Sequence, residues 1–341
     1  MMDISIPYYE DLTRISNSNI GWFLKKGPAF LHKMLTDPPP EEKNSTLERG
    51  TMIHEYLLQP EEFQKDYVVW DKGRPSSAQQ EKFCQELANS AEIEPNKALL
   101  SAYRASYSTT NKAEEKMLSE ASKIASTLKE YIDFLKSGDS RKMIGPWDVK
   151  MLETIKQNFK QHKLAWNLLW PEMWKDFVYE HHHEFHINWE YETPYNGIIS
   201  CKSLLDSLCI DYTNKTVTIM DLKTTAKLYH FEDSMKEYDY CRQLAYYTLA
   251  VKWYLIHEKG VDAKELDETW IFNRFIIAID TVNDYSIRVF WLSEPDIQIM
   301  GEKPYKRIVS ALDEIAWHQT TDQWDHTREY YEGDGSETLN L

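Results

Sequence analysis

Cysteine is scarce in this 341-residue chain. Cys84, Cys201, Cys209 and Cys241 are the full complement, and no two form a CxxC pair. That excludes a zinc ribbon and a dithiol redox motif. The spacing also fails a four-cysteine iron–sulfur site. Four scattered thiols predict reduced cysteines in the cytosol. Glycine and proline are few as well, at 11 and 13 residues, about 7% of the chain; collagen-like, linker-rich and largely disordered chains carry far more. No apolar run approaches the ~20 residues of a membrane helix. The opening MMDISIPYYEDL has neither a basic n-region nor an apolar h-region, so no secretory signal is expected. Positive charge is in short supply: 39 Lys and Arg stand against 55 Asp and Glu, for a formal charge of −16. A protein that coats duplex nonspecifically is usually basic, which argues against wide coating. It leaves room for an enzyme with a local basic channel, and acids also gather where metal ions are held. A phosphate loop of the GxxxxGK[ST] type is missing, as are GxSxG and a catalytic Cys–His arrangement.

What is present suits a large core. Hydrophobic residues make up 42%, and there are 12 Trp and 21 Tyr. At roughly 150 residues per domain, the length predicts one large or two ordinary domains. Residues 1–60 read as helical. Ser18 is a candidate cap for a helix over 19–26, Pro28 opens a second to about Leu35, and Asp37-Pro38-Pro39-Pro40 ends it. A third helix runs from about Leu47 to Leu58. Residues 61–178 also read as helical. Leu118, Ala121, Ala125, Leu128, Ile132 and Leu135 form one apolar stripe on a long helix, and Pro146-Trp147 open another helix to about His162.

The period changes near Tyr179. Phe185, Ile187, Trp189 and Tyr191 alternate with Glu184, His186, Asn188 and Glu190, the pattern of a half-buried strand. Pro194, Asn196 and Gly197 mark a turn, a second strand spans 198–211, and a third spans 216–224. Strands this closely linked predict an antiparallel meander. Residues 240–257 read as helix, 270–279 and 285–292 as strands, and 303–315 as helix again. From about Asp325 the chain reads as a loosely held tail.

Chemistry concentrates in residues 201–225. Val217, Ile219, Asp221 and Lys223 share one parity of the third strand and therefore one face. Burying an acid and a lysine beside two core residues is costly unless something pairs them. A divalent cation and a phosphate would do so, with Asp221 as ligand, Lys223 beside the water or the phosphate, and Asp206 reaching the same ion from the preceding strand. Hard oxygen ligands favour Mg²⁺ or Mn²⁺. A surface strand with an ordinary Asp–Lys pair is the alternative. The run His181-His182-His183-Glu184-Phe185-His186 invites a zinc reading, but it lacks HExxH spacing and a strand splits its histidines between two faces.

Asp206 followed by Asp221-Leu222-Lys223 at the end of an apolar strand resembles the core of PD-(D/E)xK nucleases. Gln243 and Tyr247 are similar to the QxxxY element of RecB-like nucleases, and Gly50-Thr51-Met52-Ile53-His54 to their GxxxH helix. Ile15-Ser16-Asn17-Ser18, Gly27-Pro28-Ala29-Phe30, Glu48-Arg49-Gly50-Thr51 through Leu57, Asp221 through Ala226, the segment from Trp147 to Leu169, and the region of Gly301, Glu302 and Trp324 resemble one branch, the RecE-type exonucleases of phage and prophage recombination. Residues 100–140 look longer than that branch's minimal pattern. The acid before Lys223 is Asp, one methylene shorter than the Glu commoner in the superfamily.

The resemblance implies an α/β fold with a central mixed sheet flanked by helices and a helical N-terminal half. It implies a nuclease core over 179–325, an N-terminal segment over 1–60 carrying the GxxxH helix, a helical insertion over 61–178 and a flexible tail over 326–341. It implies a Mg²⁺-dependent exonuclease on double-stranded DNA ends, 5′-to-3′, with Mn²⁺ as a substitute. Asp206, Asp221, the Leu222 carbonyl and His54 would hold the metal, and Glu184 would hold a second ion or its water. Lys223 would orient the water and stabilise phosphorane-like charge, braced by Gln243 and Tyr247. It further implies a ring-shaped homo-oligomer, a single-strand annealing partner of the RecT kind, and action in the cytoplasm of a bacterial host. Packing roles remain the alternatives for His54, Gln243 and Tyr247. At the level of the whole chain, the rivals are a RecB-like repair nuclease or endonuclease, and a catalytically inactive acidic DNA mimic or interaction protein motivated by the −16 charge.

Overall fold

The computed structural model describes residues 6–40, 45–108, 112–172, 177–293 and 304–337. Two compact units are present, residues 1–60 with 152–341, and residues 61–151. Among the described residues, no helix is long and apolar enough to cross a membrane.

The first unit opens with α1 (Asn17–Lys26), α2 (Pro28–Thr36) and α3 (Ser45–Leu58). Ser16, rather than the expected Ser18, caps α1; its hydroxyl accepts from the Asn19 N–H while the Asn19 side chain accepts from the Ser16 N–H. Gly27, at φ +82°, turns the chain so that Pro28 can open α2.

The second unit holds α4 (Pro60–Asp66), α5 (Ala78–Ala88), α6 (Pro95–Ser106), α7 (Glu114–Thr127), α8 (Lys129–Lys136) and the start of α9 (Pro146–Gln161). Two short strands, β1 (Tyr67–Val69) and β2 (Lys142–Ile144), pair in parallel. The expected long helix over 118–135 is broken at Leu128, which leaves helical geometry at φ −109° and ψ 25°. The hydroxyls of Ser126 and Thr127 both donate to the Lys123 carbonyl at 2.9 Å, a competition that bends helices. The stripe itself survives the break, since Ala121, Leu128 and Ile132 are buried in one cluster with Phe83 and Tyr103.

The first unit resumes with α10 (Lys163–Leu169) and a five-stranded mixed sheet of β3 (Tyr179–Thr193), β4 (Gly197–Asp211), β5 (Thr216–Thr225), β6 (Ile271–Asp280) and β7 (Ile287–Leu292), in that spatial order. β3, β4 and β5 form the expected antiparallel meander. β5 pairs in parallel with β6, and β6 antiparallel with β7. A parallel pair needs a crossover; α11 (Phe231–Glu237), α12 (Tyr240–His257) and α13 (Ala263–Thr269) supply it. Val217 and Ile219 of β5 are fully buried with Leu244, Val251 and Leu255 of α12 and with Ile308 and Leu312 of α14 (Pro304–Thr321). Each such side chain contributes roughly 1.5–3 kcal/mol.

The stretch expected as a loose tail forms a short helix, α15 (Arg328–Glu332), capped by Thr327, with Tyr331 against Trp317 at 5.9 Å. Gly301, Glu302 and Lys303 lie outside the described residues.

Candidate active site at the parting of two strands

The β4–β5 ladder ends at Ser207 opposite Met220. Asp206 and Asp221 are the next residues on each strand, and here the strands part. The Leu222 N–H donates instead to Asp206 Oδ2 at 2.5 Å. Further along, β4 takes a new neighbour: the Ile15 N–H donates to the Ser200 carbonyl and the Lys202 N–H to the Ile15 carbonyl, both at 2.9 Å. The acids therefore sit in a gap between two partners of β4.

On the other side of β4, pairing with β3 is interrupted between His183–Ser207 and Phe185–Leu205. The unpaired residue of β3 is Glu184, opposite Asp206, with φ +48°. An L-residue in this left-handed region costs roughly 1–3 kcal/mol and persists where surrounding structure imposes it. The distortion reverses the alternation of both strands. His182 and Phe185 stack at 4.2 Å although three residues apart, which an unbroken strand would place on opposite faces. On β4, Ile199, Cys201 and Leu205 share one core with Leu208 and Ile210. Glu184 thus lies at the reversal point, whereas the sequence pattern puts it on a uniform polar face.

Two helices complete the site. Gly50 brings α3 close to the end of β5, since a Cβ there would stand 3.1 Å from Thr224 Oγ1. One turn later His54 Nδ1 lies 3.9 Å from Asp206 Oδ2. His54, Glu184 and Asp206 each offer a ligand atom within 4.8 Å of the other two. From α12, Gln243 Nε2 donates to Tyr247 Oη at 2.9 Å, as i and i+4 neighbours can. The Tyr240 ring lies 4.9 Å from Lys223 Nζ. All these residues line one cavity of about 660 Å³; among the described residues its single lysine is Lys223, and no arginine lines it.

Charge and burial conflict here. Asp221 is 1% exposed, and neither carboxylate oxygen accepts a well-formed hydrogen bond; Lys223 Nζ stands 2.6 Å from Oδ2 as an ion pair. Burial, reinforced by the Asp206 charge, pushes Asp221 up to about 6 against the pull of Lys223. Burial, then Asp206 and Asp221, pushes Glu184 up to about 8. Asp206 is also raised, burial outweighing Lys223 and the Leu222 N–H. Burial works against the Lys223 ammonium, but Asp221 and Asp206 outweigh it and push it up to about 12. Burial and the Lys223 charge hold His54 down to about 4, so its imidazole is neutral. Three carboxylates facing one ammonium, with buried acceptor oxygens left unsatisfied, form a hard donor set short of positive charge. It fits a divalent cation.

Of the residues singled out in the sequence, the cavity gathers His54, Glu184, Asp206, Asp221, Leu222, Lys223, Gln243 and Tyr247. Asp221 stands outside the mutually close trio and is turned to Lys223. Leu222 enters through its N–H. Tyr8, Glu55 and Tyr240 line the same cavity without having stood out in the sequence. Tyr240 is legible in hindsight, being three residues before Gln243 on one helix face; nothing in the sequence points to Tyr8. Two imidazoles of the histidine run are engaged elsewhere: His181 Nε2 lies 3.2 Å from Ser207 Oγ, and His182 lies on Phe185.

No family model and no curated protein sequence matches the chain. Among solved structures, one similar over 100% of this chain and 96% of its own is a candidate exonuclease from Eubacterium rectale, at TM-score 0.49 and 12% identity.

Proposed function

We propose that the chain is a metal-dependent deoxyribonuclease of the PD-(D/E)xK kind, acting as an exonuclease on double-stranded DNA ends. One observation carries the reading: the acids of three strands, the histidine of α3 and the Gln–Tyr pair of α12 meet in a single cavity around the Asp221–Lys223 ion pair. These segments are far apart in sequence, and packing alone gives no reason to collect three acids around one lysine.

His54, Glu184, Asp206 and Asp221 would hold Mg²⁺, with Mn²⁺ as a substitute; the ion supplies charge stabilisation and a water of lowered pKa. The neutral His54 imidazole keeps a lone pair for it. Lys223, held as an ammonium by Asp221 and Asp206, donates to a phosphoryl oxygen and stabilises the charge that grows there. The Tyr240 ring confines Lys223 from one side. The Gln243–Tyr247 pair closes the wall behind the phosphate. The 5′-to-3′ direction, the ring-shaped oligomer and the single-strand annealing partner belong to the same proposal by resemblance to RecE-type exonucleases.

The test is digestion of end-labelled linear duplex with Mg²⁺. We expect mononucleotide release from the 5′-labelled strand, sparing of closed circular DNA, and loss of cleavage by at least about 10²-fold in Lys223→Ala and Asp221→Asn. Equal cleavage by both variants and the parent protein sinks the site assignment. Cleavage of circles shifts the reading to an endonuclease, and no cleavage with either metal favours the interaction protein.

A further inference from the structure

His183 is the one residue of the histidine run whose ring meets two main-chain carbonyls. Its Nδ1 lies 3.0 Å from the Leu58 oxygen and its Nε2 2.8 Å from the Leu169 oxygen. Carbonyl oxygens only accept, so either ring nitrogen can bind its carbonyl only as an N–H donor, and a neutral ring donates to one of the two at a time. The two acceptors are of one kind: Leu58 is the last residue of α3 and Leu169 the last of α10. Carbonyls in the last turn of a helix lack intrahelical donors. Both leucines are buried, at 3% and 0% exposure, which makes water a poor substitute.

The position of this ring gives the contacts a consequence. His183 precedes Glu184, the left-handed residue opposite Asp206. Leu58 lies four residues after His54, one turn along α3. One imidazole thus joins the strand that presents Glu184 to the helix that presents His54. Its other arm fixes that junction to the end of α10. Main-chain pairing on one side alone, with Ser207, would leave the strand free to shift against α3.

We propose that His183 is a positioning residue that sets the separation of His54 and Glu184 by tethering the ends of α3 and α10 to β3, and so tunes metal affinity without touching the metal. The tether stands on its own geometry; its effect on metal affinity rests on the metal reading above. Groups that orient first ligands typically change metal affinity by about 10–100-fold when removed.

The experiment uses the full chain as His183→Phe, which keeps the ring's bulk without donors, and His183→Gln, which restores one donor. Hydrogen exchange of the amides of residues 54–58 without metal reads the tether. Mn²⁺ affinity, from electron paramagnetic resonance of free Mn²⁺, reads the consequence. We expect faster exchange at the end of α3 and about tenfold weaker Mn²⁺ binding in His183→Phe, partial recovery of both in His183→Gln, and a much smaller loss when His183→Phe is made in a His54→Ala background. Unchanged exchange overturns the tether. Faster exchange with unchanged Mn²⁺ affinity, or the same loss in the His54→Ala background, overturns the positioning role. If the parent protein binds no Mn²⁺, the metal reading and the positioning role fall together, while exchange still decides the tether. Should His183→Phe fail to fold, the His183→Gln comparison carries the same criteria.

Discussion

Replacing Glu184 by Gln tests whether the site stores unfavourable charge. Glu184 has a folded value of about 8 against an ordinary 4.5. Its folded form therefore holds a proton that the unfolded chain gives up between those two pH values. Stability from this group is fully present below about 4.5 and is lost as pH rises through about 8. At 1.4 kcal/mol per pH unit the loss comes to about 5 kcal/mol. Asp206 and Asp221 supply part of that push, so neutralising Glu184 relieves them as well. The measurement is urea unfolding in EDTA, followed by tryptophan fluorescence, at pH 4.5, 6, 7.5 and 9. The parent and Glu184→Gln should be nearly equal at pH 4.5 and diverge steadily, with the variant the more stable by several kcal/mol at pH 9. In thermal melts about 2–4 °C should accompany each kcal/mol for a unit of this size. Mn²⁺ should narrow the gap by stabilising the parent protein more than the variant, which keeps three of the four proposed ligands. A difference that does not change with pH, or a variant less stable at pH 9, refutes the charge conflict described for this site.

Two further substitutions test the supports around the acids. In Gly50→Ala the new Cβ meets Thr224 Oγ1 at 3.1 Å and presses α3 away from β5; cleavage should fall about tenfold with little change in melting temperature, and adding Thr224→Ala should restore it. Activity equal to the parent in Gly50→Ala alone argues against a close approach that matters. Tyr247→Phe removes the acceptor of the Gln243 amide at 2.9 Å. A cost of about 1 kcal/mol in urea unfolding together with slower cleavage is expected, whereas full activity assigns the pair to packing.

The residue types of the site are readable without coordinates. An apolar strand that ends in Asp221 and Lys223, a Gln and a Tyr four apart, and a His four after a Gly each follow from a period of two or of 3.6, and those periods survive folding. The meander over 179–225 is readable for the same reason, since short turns leave few ways to pair such strands. The stripe on 118–135 is legible as one apolar face, but the break at Leu128 is not, because hydroxyls competing for the Lys123 carbonyl leave the spacing of the leucines unchanged.

Strand parity could not place Glu184. Alternation puts it on the solvent side of β3, and only the left-handed turn of its backbone, imposed by the pairs on either side, brings it opposite Asp206. The parting of β4 from β5, the entry of Ile15 beside Ser200 and Lys202, and the two carbonyls on His183 likewise involve residues tens to hundreds of positions apart. Local sequence determines which residues can form a strand, a helix or a ligand, because those preferences are set by near neighbours. Which acid meets which histidine depended on where whole strands lose their partners, and only the packed chain decides that.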